Sequence, residues 1–179
     1  LAAAGGEKPV FLLPQASTVS RQLLEEHGLA SNRSQLDVRA SRDNRYNLMA
    51  ACDAVMAASG TVTLELAILG IPTVVAYRLS PRTYWLGRML IRLKWFTLVN
   101  LIAGRTVIPE LLQNEVTAEN IAARLTTLLQ PGVERRKITA GLEEVKTKLG
   151  APGASMRAAN IAADIIYNHE RKRTDTAAH

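Results

Sequence analysis

Short apolar runs alternate with amphipathic segments along the first half of the chain. Four of these runs have the length of a strand and are bounded by proline, glycine or polar residues. The predicted strands are Pro9–Pro14, Leu36–Ala40, Ala54–Ala58 and Thr73–Tyr77. Segments with the apolar spacing of a helix lie between them. This alternation predicts an α/β fold in which helices cover both faces of a parallel sheet.

The segments between and after the strands complete the predicted organisation. Helices are expected at Val19–His27, at Tyr46–Cys52, between Thr61 and Gly70, and at Thr117–Leu129, Val133–Leu149 and Ala154–His169. A loop is expected over Thr97–Arg105 and a short turn over Pro109–Gln113. A length of 179 residues is ample for one domain. We therefore expect a single domain over residues 1–179, with residues 133–179 as a C-terminal helical extension.

Polar turns follow all four predicted strands. They are Pro14–Ser17, Ala40–Asp43, Ala58–Thr61 and Tyr77–Ser80. Because the strands are expected to be parallel, their carboxyl ends meet at one edge of the sheet, which is where ligands of such sheets bind. We therefore expect a ligand site at this edge.

The turn Ser59-Gly60-Thr61, between a strand and a helix that begins at once, carries the most specific chemistry. Such a helix N-terminus offers unpaired N–H groups and the positive end of the helix dipole, which suit a phosphate. Gly60 lets the backbone approach the ligand closely. Glu65 lies one helical turn further on, where its carboxylate can reach the hydroxyls of a sugar attached to that phosphate. The simpler interpretation is a helix capped by Ser or Thr in any α/β protein, and spacing alone leaves both open.

Positive charge and aromatic residues are concentrated in residues 77–96. The net charge is +6 and only 4% of the residues are aromatic, yet both tryptophans lie in this segment. A basic amphipathic helix rimmed by Trp and Phe is typical of helices that lie in a membrane surface. The residues predicted to contact a membrane are Trp85, Arg88, Arg92, Trp95 and Phe96.

Two other interpretations of this segment stay open. An ordinary helix with buried aromatic side chains and solvated arginines has the same composition. Nucleic acid would be attracted by the same charge, but the chain has no recognised nucleic-acid-binding motif and its aromatic residues are not spaced as stacking platforms. We therefore expect a membrane surface, and no nucleic acid, as the anionic partner.

Several classes of protein and site are disfavoured by what the sequence lacks. No apolar run is long enough to span a bilayer, and the N-terminus does not have the basic-then-apolar layout of a signal peptide. The single cysteine, Cys52, excludes an internal disulfide and lies in an Ala-rich segment typical of a core. No Asp-x-Asp pair lies near the phosphate turn, so neither a metal nor a cofactor is expected. By elimination we expect a cytoplasmic protein.

Three motifs follow one another at close spacing between Asp53 and Gln113. They are SGT-x-TLE at 59–65, VVAYR-x-SP-x-TYW at 74–85 and NLIAGR-x-x-x-PELLQ at 100–113. In this order they resemble the lipid-A-disaccharide synthase family, and the resemblance extends from about Pro9 to the C-terminus. The combination is far more specific than any one of the motifs.

The resemblance implies a GT-B glycosyltransferase, in which two Rossmann-like domains face each other across a cleft. Members of this family transfer a 2,3-diacylglucosamine unit from UDP to 2,3-diacylglucosamine 1-phosphate, which gives lipid A disaccharide 1-phosphate and UDP. The transfer inverts the anomeric configuration and needs no metal. Because both substrates are acylated, contact with the inner face of the bacterial inner membrane is expected.

The resemblance covers the C-terminal, nucleotide-binding half of the family. The family's N-terminal domain, which is expected to supply the general base, has no counterpart in the chain. The first strand of the C-terminal domain, with its Gly-Ser-Arg turn, also has none. We therefore expect a Rossmann-like UDP-sugar-binding domain that partners its own N-terminal domain and is inactive alone.

The resemblance also implies roles for single residues. The residues implied to bind UDP are Ser59, Gly60, Thr61, Glu65, Ser41 and Arg42, with the turn on the pyrophosphate, Glu65 on the ribose and the Ser41 segment against the uracil. Asn100 matches a position needed for activity, and its amide is a candidate contact for the donor sugar or phosphate. Arg78 and Arg105 are candidate partners of phosphate or acceptor, because guanidinium groups suit phosphate oxygens; either could instead anchor a loop. Glu110 is expected to pair structurally rather than to catalyse.

Two other functions stay open at this point. A different UDP-sugar transferase or epimerase of the GT-B type would keep the Ser59–Thr61 turn and Glu65. It would have no need of the NLIAGR motif or of the basic aromatic helix. A non-catalytic module that binds nucleotide or membrane is the other, because the catalytic partner residues would lie outside the chain.

Overall fold

The structure is a computed structural model that describes residues 8–29, 36–58, 60–80 and 94–177. Side chains are described as far as residue 167. The basic helix predicted between Tyr77 and Trp95 lies largely outside the described residues.

The described strands form two parallel sheets. The strands are β1 (Val10–Pro14), β2 (Asp37–Ser41), β3 (Val55–Ala57), β4 (Thr73–Tyr77) and β5 (Glu110–Leu112). β1 pairs with β2, while β4 lies between β3 and β5, and all three pairings are parallel. The prediction of an α/β fold with parallel strands is confirmed, although the described strands are hydrogen-bonded as two groups rather than as one sheet.

Helices connect the strands and finish the chain. They are α1 (Arg21–Leu24), α2 (Arg45–Ala50), α3 (Val62–Leu69), α4 (Leu98–Ala103), α5 (Ala118–Leu129), α6 (Val133–Leu149) and α7 (Ala154–Ala177). A π-helical turn, Glu25–Leu29, follows α1, and a 3-10 turn, Gln113–Glu115, follows β5. The first predicted helix is thus shorter in its α-helical part, because Ser20 caps it and Gly28, at φ 99°, leaves the helical conformation.

Two predictions for the middle of the chain are wrong. The segment predicted as a loop contains α4, because Thr97 Oγ1 accepts a hydrogen bond from the Asn100 N–H at 3.2 Å and Gly104 ends the helix at φ 71°. The segment predicted as a turn over Pro109–Gln113 contains β5, which pairs with β4. The Pro109 carbonyl oxygen accepts from the Val75 N–H at 2.9 Å.

The main hydrophobic core lies around β4 and is closed by α4, α5 and α6. Its fully buried members include Val74 and Val75 from β4, Val99 from α4, Ile108, Leu128 from α5, and Leu142 and Val145 from α6. A second core of Met49, Ala57 and Leu66 joins α2, β3 and α3. This second core holds α2 and α3 together at the carboxyl end of β3.

The chain divides into two compact units, Leu1–Lys148 and Leu149–His179. The second unit is built around α7. At the start of α7, Arg157 donates to the carbonyl oxygens of Pro152 and Ala151 at 3.0 and 3.4 Å. Within the described part of the chain, no helix is long and apolar enough to cross a membrane.

Candidate functional site

The turn between β3 and α3 lies at the carboxyl end of β3, as the sequence predicts. Gly60 has a φ of +132°, which residues with a side chain rarely adopt, and no described atom lies within 4 Å of where a Cβ would stand. Buried Thr63 fixes the turn from inside, because its hydroxyl donates to the Gly60 carbonyl oxygen at 2.8 Å. The backbone at Gly60 is therefore both fixed and open. Ser59, the first residue predicted for this turn, lies outside the described residues.

Thr61 precedes α3 without capping it. Its backbone is already helical, with φ −58° and ψ −29°, and its hydroxyl makes no capping hydrogen bond. The Thr61 carbonyl oxygen accepts from the N–H groups of Leu64 and Glu65 at 3.0 and 3.2 Å. Thr61 thus holds the N-cap position without a side-chain cap, and the simpler interpretation stays open for Ser59, which lies outside the described residues.

Glu65 lies on the first turn of α3 and points to α2. Its Oε1 accepts from Arg45 Nη2 at 2.7 Å and from the Tyr46 hydroxyl at 3.4 Å. The same Arg45 nitrogen donates to the Tyr46 hydroxyl oxygen at 2.8 Å, and the guanidinium carbon lies 4.8 Å from the centre of the Tyr46 ring. The Tyr46 hydroxyl, and then the Glu65 charge, raise the pKa of Arg45 above its usual value. We call Arg45, Tyr46 and Glu65 the α2–α3 cluster.

Ser41 and Arg42 lie at the carboxyl end of β2 and hold the neighbouring loops together. The Ser41 hydroxyl oxygen accepts from the Asp43 N–H at 3.1 Å, and the Ser41 carbonyl oxygen accepts from the Gln15 N–H at 2.8 Å. Arg42 Nη2 donates to the Val19 carbonyl oxygen at 3.3 Å. The loops after β1 and β2 are therefore in contact, while the predicted meeting of all four polar turns at one edge stays a prediction. The contact of Ser41 and Arg42 with uracil stays a prediction.

Asn100, on α4, is fully buried and uses its whole amide within the chain. Its Oδ1 accepts from the N–H groups of Val107 and Ile108 at 2.7 and 3.0 Å. Its Nδ2 donates to the Ile108 carbonyl oxygen at 2.9 Å and to Glu110 Oε1 at 2.8 Å. These bonds occupy both hydrogens of the amide and two lone pairs of its oxygen. The predicted contact with a donor sugar stays a prediction, and the described contacts fix the chain after α4.

Glu110 is the second member of this polar network. Its carboxylate accepts from the backbone N–H groups of Phe96 and Thr97, both at 2.9 Å, and from the Thr97 hydroxyl at 2.7 Å. An acidic group at the N-terminus of α4 also suits the helix dipole. These contacts are those of the structural pairing expected for Glu110.

Arg78 and Arg105 were candidates either for an anion or for anchoring a loop, and in this structure both make anchoring contacts. Arg78 Nη2 donates to the Val116 carbonyl oxygen at 2.8 Å. Arg105 Nη2 lies 2.5 Å from Glu144 Oε2 on α6, and Lys148 Nζ lies 2.8 Å from Glu144 Oε1. The hydrogen bonds from Lys148 and from Arg105 hold the pKa of the Glu144 carboxyl below its usual value. A role of either arginine toward phosphate or acceptor stays a prediction.

Among the residues predicted for membrane contact, Trp85, Arg88 and Arg92 lie outside the described residues, whereas Trp95 and Phe96 are described. Trp95 Nε1 donates to the Thr106 hydroxyl at 3.1 Å, and Lys94 Nζ lies 4.8 Å from the Trp95 ring centre. Three apolar side chains at the start of α4 and along it keep more than a third of their surface exposed. They are Phe96, Leu98 and Leu101, which we call the α4 apolar patch.

Metal-ligand chemistry is not evident in the part of the chain that the structure describes. No group of three or more His, Cys, Asp or Glu side chains there could hold a metal ion. Cys52 donates from its thiol to the Leu48 carbonyl oxygen at 3.2 Å, and burial raises the pKa of this thiol. A raised thiol pKa opposes the thiolate form that a nucleophile needs.

Sequence reasoning missed Arg45 and Tyr46. Both directly follow the polar run that ends at Asn44, a residue with a left-handed backbone (φ 38°) that caps α2. An asparagine that caps a helix marks where α2 begins, so Arg45 and Tyr46 could have been placed on its first turn, close to the predicted ligand. It does not show that they contact Glu65, which lies 20 residues after Arg45.

Comparison with known proteins places the chain in a family. A family model described as lipid-A-disaccharide synthetase matches residues 7–166. The lipid-A-disaccharide synthase of Geobacter metallireducens is 43% identical over 156 residues, which are 87% of this chain and 40% of that protein. Those of Nitrosococcus oceani and Myxococcus xanthus are 40% and 36% identical, over 87% of this chain and 39% and 40% of their own lengths. The chain thus spans about 40% of the length of the relatives it matches.

The matched residues include the Gly60–Thr61 turn, Glu65 and the NLIAGR motif that begins at Asn100. The family model matches most of the chain, and the relatives named above are 36–43% identical to it. These matches favour the lipid-A-disaccharide synthase family over another GT-B transferase or epimerase. The chain belongs to the lipid-A-disaccharide synthetase family.

Proposed function

We propose that this chain is the UDP-sugar-binding half of a lipid A disaccharide synthase. The reaction transfers 2,3-diacylglucosamine from UDP-2,3-diacylglucosamine to 2,3-diacylglucosamine 1-phosphate and releases UDP. The observation that carries the proposal is the unit β3–turn–α3, in which an open glycine backbone is followed by Glu65 one helical turn later. Membership of the family supports the assignment of the sugar donor and of the acceptor.

The nucleotide is assigned to the carboxyl ends of the strands. The pyrophosphate lies against the backbone of Gly60 and the hydroxyl of Thr61, at the positive end of the α3 dipole. Ser59, which the sequence assigns to the same pyrophosphate, lies outside the described residues. Glu65 accepts hydrogen bonds from the ribose hydroxyls, and the loop that begins with Ser41 and Arg42 faces the uracil.

The chemistry of the transfer needs a stabilised leaving group and a general base. Fixed N–H groups and the helix dipole stabilise negative charge on the departing UDP without a metal ion. Arg78 and Arg105 would add to this only if their present carbonyl and carboxylate partners were exchanged for phosphate. The base that activates the acceptor hydroxyl is assigned to the family's N-terminal domain, which is the partner of this chain.

The chain is assigned to the cytoplasmic face of the bacterial inner membrane, because both substrates carry acyl chains. The α4 apolar patch supports this placement, with Lys94 and Trp95 directly before it. An indole, a cation and partly exposed apolar side chains together suit a lipid headgroup region.

Replacing Glu65 with alanine is expected to weaken UDP binding by about 1–3 kcal/mol, or about 5- to 150-fold in Kd, because a hydrogen bond to a charged group is lost. Isothermal titration with UDP, UDP-N-acetylglucosamine and ATP measures this and also tests whether binding is selective for uridine. Glu25→Ala is the matched control, since Glu25 also accepts from an arginine, Arg21, at 3.2 Å but lies outside the site. Unchanged UDP affinity in folded Glu65→Ala protein would remove the ribose assignment.

Replacing Leu98 and Leu101 together with glutamine is expected to reduce binding to anionic vesicles about three- to tenfold, because apolar surface is removed from the membrane contact. Co-sedimentation with vesicles of phosphatidylglycerol and phosphatidylethanolamine gives the partition. The control is Leu23→Gln with Leu36→Gln, which changes two leucines of similar exposure, 42% and 41%, outside the patch. Equal partition of the two double variants would contradict membrane docking through α4.

A further inference from the structure

We propose that Arg45 and Tyr46 are positioning residues that hold Glu65 for the two hydroxyls of a ribose, and that they thereby set the selectivity for ribose over deoxyribose. This inference rests on the proposed function, since it concerns the nucleotide site on the turn before α3. It adds two residues on α2 that neither the motifs nor the spacing of the sequence assigns.

The contacts within the α2–α3 cluster fall on one oxygen of Glu65. Arg45 Nη2 and the Tyr46 hydroxyl both donate to Oε1. No described residue donates a hydrogen bond to Glu65 Oε2. Toward the described residues, the carboxylate is thus held at Oε1 and keeps acceptor capacity at Oε2, which is the arrangement needed to receive hydroxyl donors from a ligand.

Exposure and contacts within the α2–α3 cluster are those expected if Arg45 and Tyr46 hold Glu65 in place. Glu65 is the least exposed of the ion pair, with its side chain 20% exposed against 58% for Arg45. Arg45 is itself fixed by Tyr46, through the bond to the hydroxyl oxygen at 2.8 Å and the ring at 4.8 Å. A glutamate side chain loses rotamer freedom when it binds a ligand, so fixing it beforehand makes binding more favourable.

Other uses of Arg45 are less consistent with these contacts. A guanidinium that bound the pyrophosphate would have to leave both Glu65 and Tyr46. A purely structural ion pair would account for the bonds to Oε1 but would give Arg45 no influence on the choice between ribose and deoxyribose. Positioning of Glu65 differs from both of these uses in what it predicts for 2′-deoxy-UDP. Only in that case does the effect of Arg45 on binding depend on the ribose 2′-hydroxyl.

The test compares the Kd of UDP with that of 2′-deoxy-UDP by isothermal titration on the 179-residue chain. We expect the wild-type chain to prefer UDP about tenfold, the loss of one hydrogen bond to a charged group. Arg45→Met is expected to reduce this preference to about threefold or less, with Tyr46→Phe between the two. Arg45→Lys, which keeps the charge, is expected to recover part of the preference. Arg45→Met combined with Glu65→Ala is expected to lose no more than Glu65→Ala alone.

Arg39→Met is the matched control, because Arg39 is an exposed arginine paired with a carboxylate, Asp37, outside the cluster. Circular dichroism establishes that each variant is folded, and the milder Tyr46→Phe and Arg45→Lys keep the test decisive if Arg45→Met is not. A preference that Arg45→Met leaves unchanged overturns the inference while the proposed function stands. An equal loss for both nucleotides also overturns it, in favour of a phosphate contact. A wild-type chain that binds neither nucleotide overturns the proposed function for this chain, and this inference with it.

Discussion

Replacing Asn100 with alanine is expected to lower the free energy of unfolding by about 3–5 kcal/mol, a large part of the stability of an ordinary domain. The substitution removes the oxygen that accepts from the N–H groups of Val107 and Ile108. Ile108 is fully buried and Val107 nearly so, which keeps water away from the orphaned donors. A buried N–H without a partner costs about 1–3 kcal/mol, so these two donors account for most of the effect. The lost donor to Glu110 adds to it.

Urea unfolding followed by tryptophan fluorescence measures this loss, since Trp95 is hydrogen-bonded to Thr106 in the same segment. Asn120→Ala is the matched control. It removes an exposed amide that donates to the Glu115 carbonyl oxygen at 2.9 Å, and should cost no more than about 1 kcal/mol. An Asn100→Ala variant as stable as the control would contradict the structural role of this amide. If binding of a UDP-sugar to the chain were then weakened at unchanged stability, a direct contact with the donor would be supported instead.

The unit from β3 to β4 was predictable because its local signals agree. An apolar run, a glycine turn and a helix that ends at a glycine follow one another without conflict. Gly70 ends α3 with a left-handed φ of 71°, and the Val55 N–H donates to the Pro72 carbonyl oxygen at 2.9 Å. Each of these elements could therefore be predicted from its own residues.

The elements α4 and β5 could not be predicted from their own residues. α4 has six residues, which is too short for helical periodicity to be recognised, and it is stabilised by burial of Val99 and Asn100. β5 has three residues and exists because β4 offers it a partner. Both depend on tertiary contacts, so the sequence of the segment alone favoured a loop and a turn.

The placement of Gly60 and Glu65 after β3 was predictable, and the side chains that contact Glu65 were not. Gly60 and Glu65 were identified from spacing within one turn and one helix. The partners of Glu65 lie 19 and 20 residues earlier, and they reach it only because Met49, Ala57 and Leu66 pack α2 against α3. The motif that contains Asn100 was evident from the sequence as well. The hydrogen bonds of its amide were not, because they depend on how residues 107–110 fold back onto α4.

Replacing Gly141 with valine is expected to lower the free energy of unfolding by about 3–4 kcal/mol, although valine favours a helix more than glycine does. Gly141 lies in the middle of α6, where a Cβ would stand 2.6 Å from Val107 Cγ1 and 3.1 Å from its Cγ2. Val107 has little room to move, because it is buried and its N–H is held by Asn100 at 2.7 Å. The close approach of α6 to this segment therefore requires a residue without a side chain.

Urea unfolding of Gly141→Val, with Gly141→Ala as an intermediate step, measures the cost of this overpacking. Gly132→Ala is the matched control, because a Cβ at Gly132 has no neighbour closer than the Gln130 carbonyl oxygen at 4.0 Å, and its effect should stay within about 0.5 kcal/mol. Adding Val107→Ala to Gly141→Ala should cost less than the sum of the two single changes, since each relieves the other. Greater stability of Gly141→Ala, as helix propensity alone predicts, would instead mean that α6 and residue 107 can separate without loss. In that case Asn100 would fix its own loop without fixing α6.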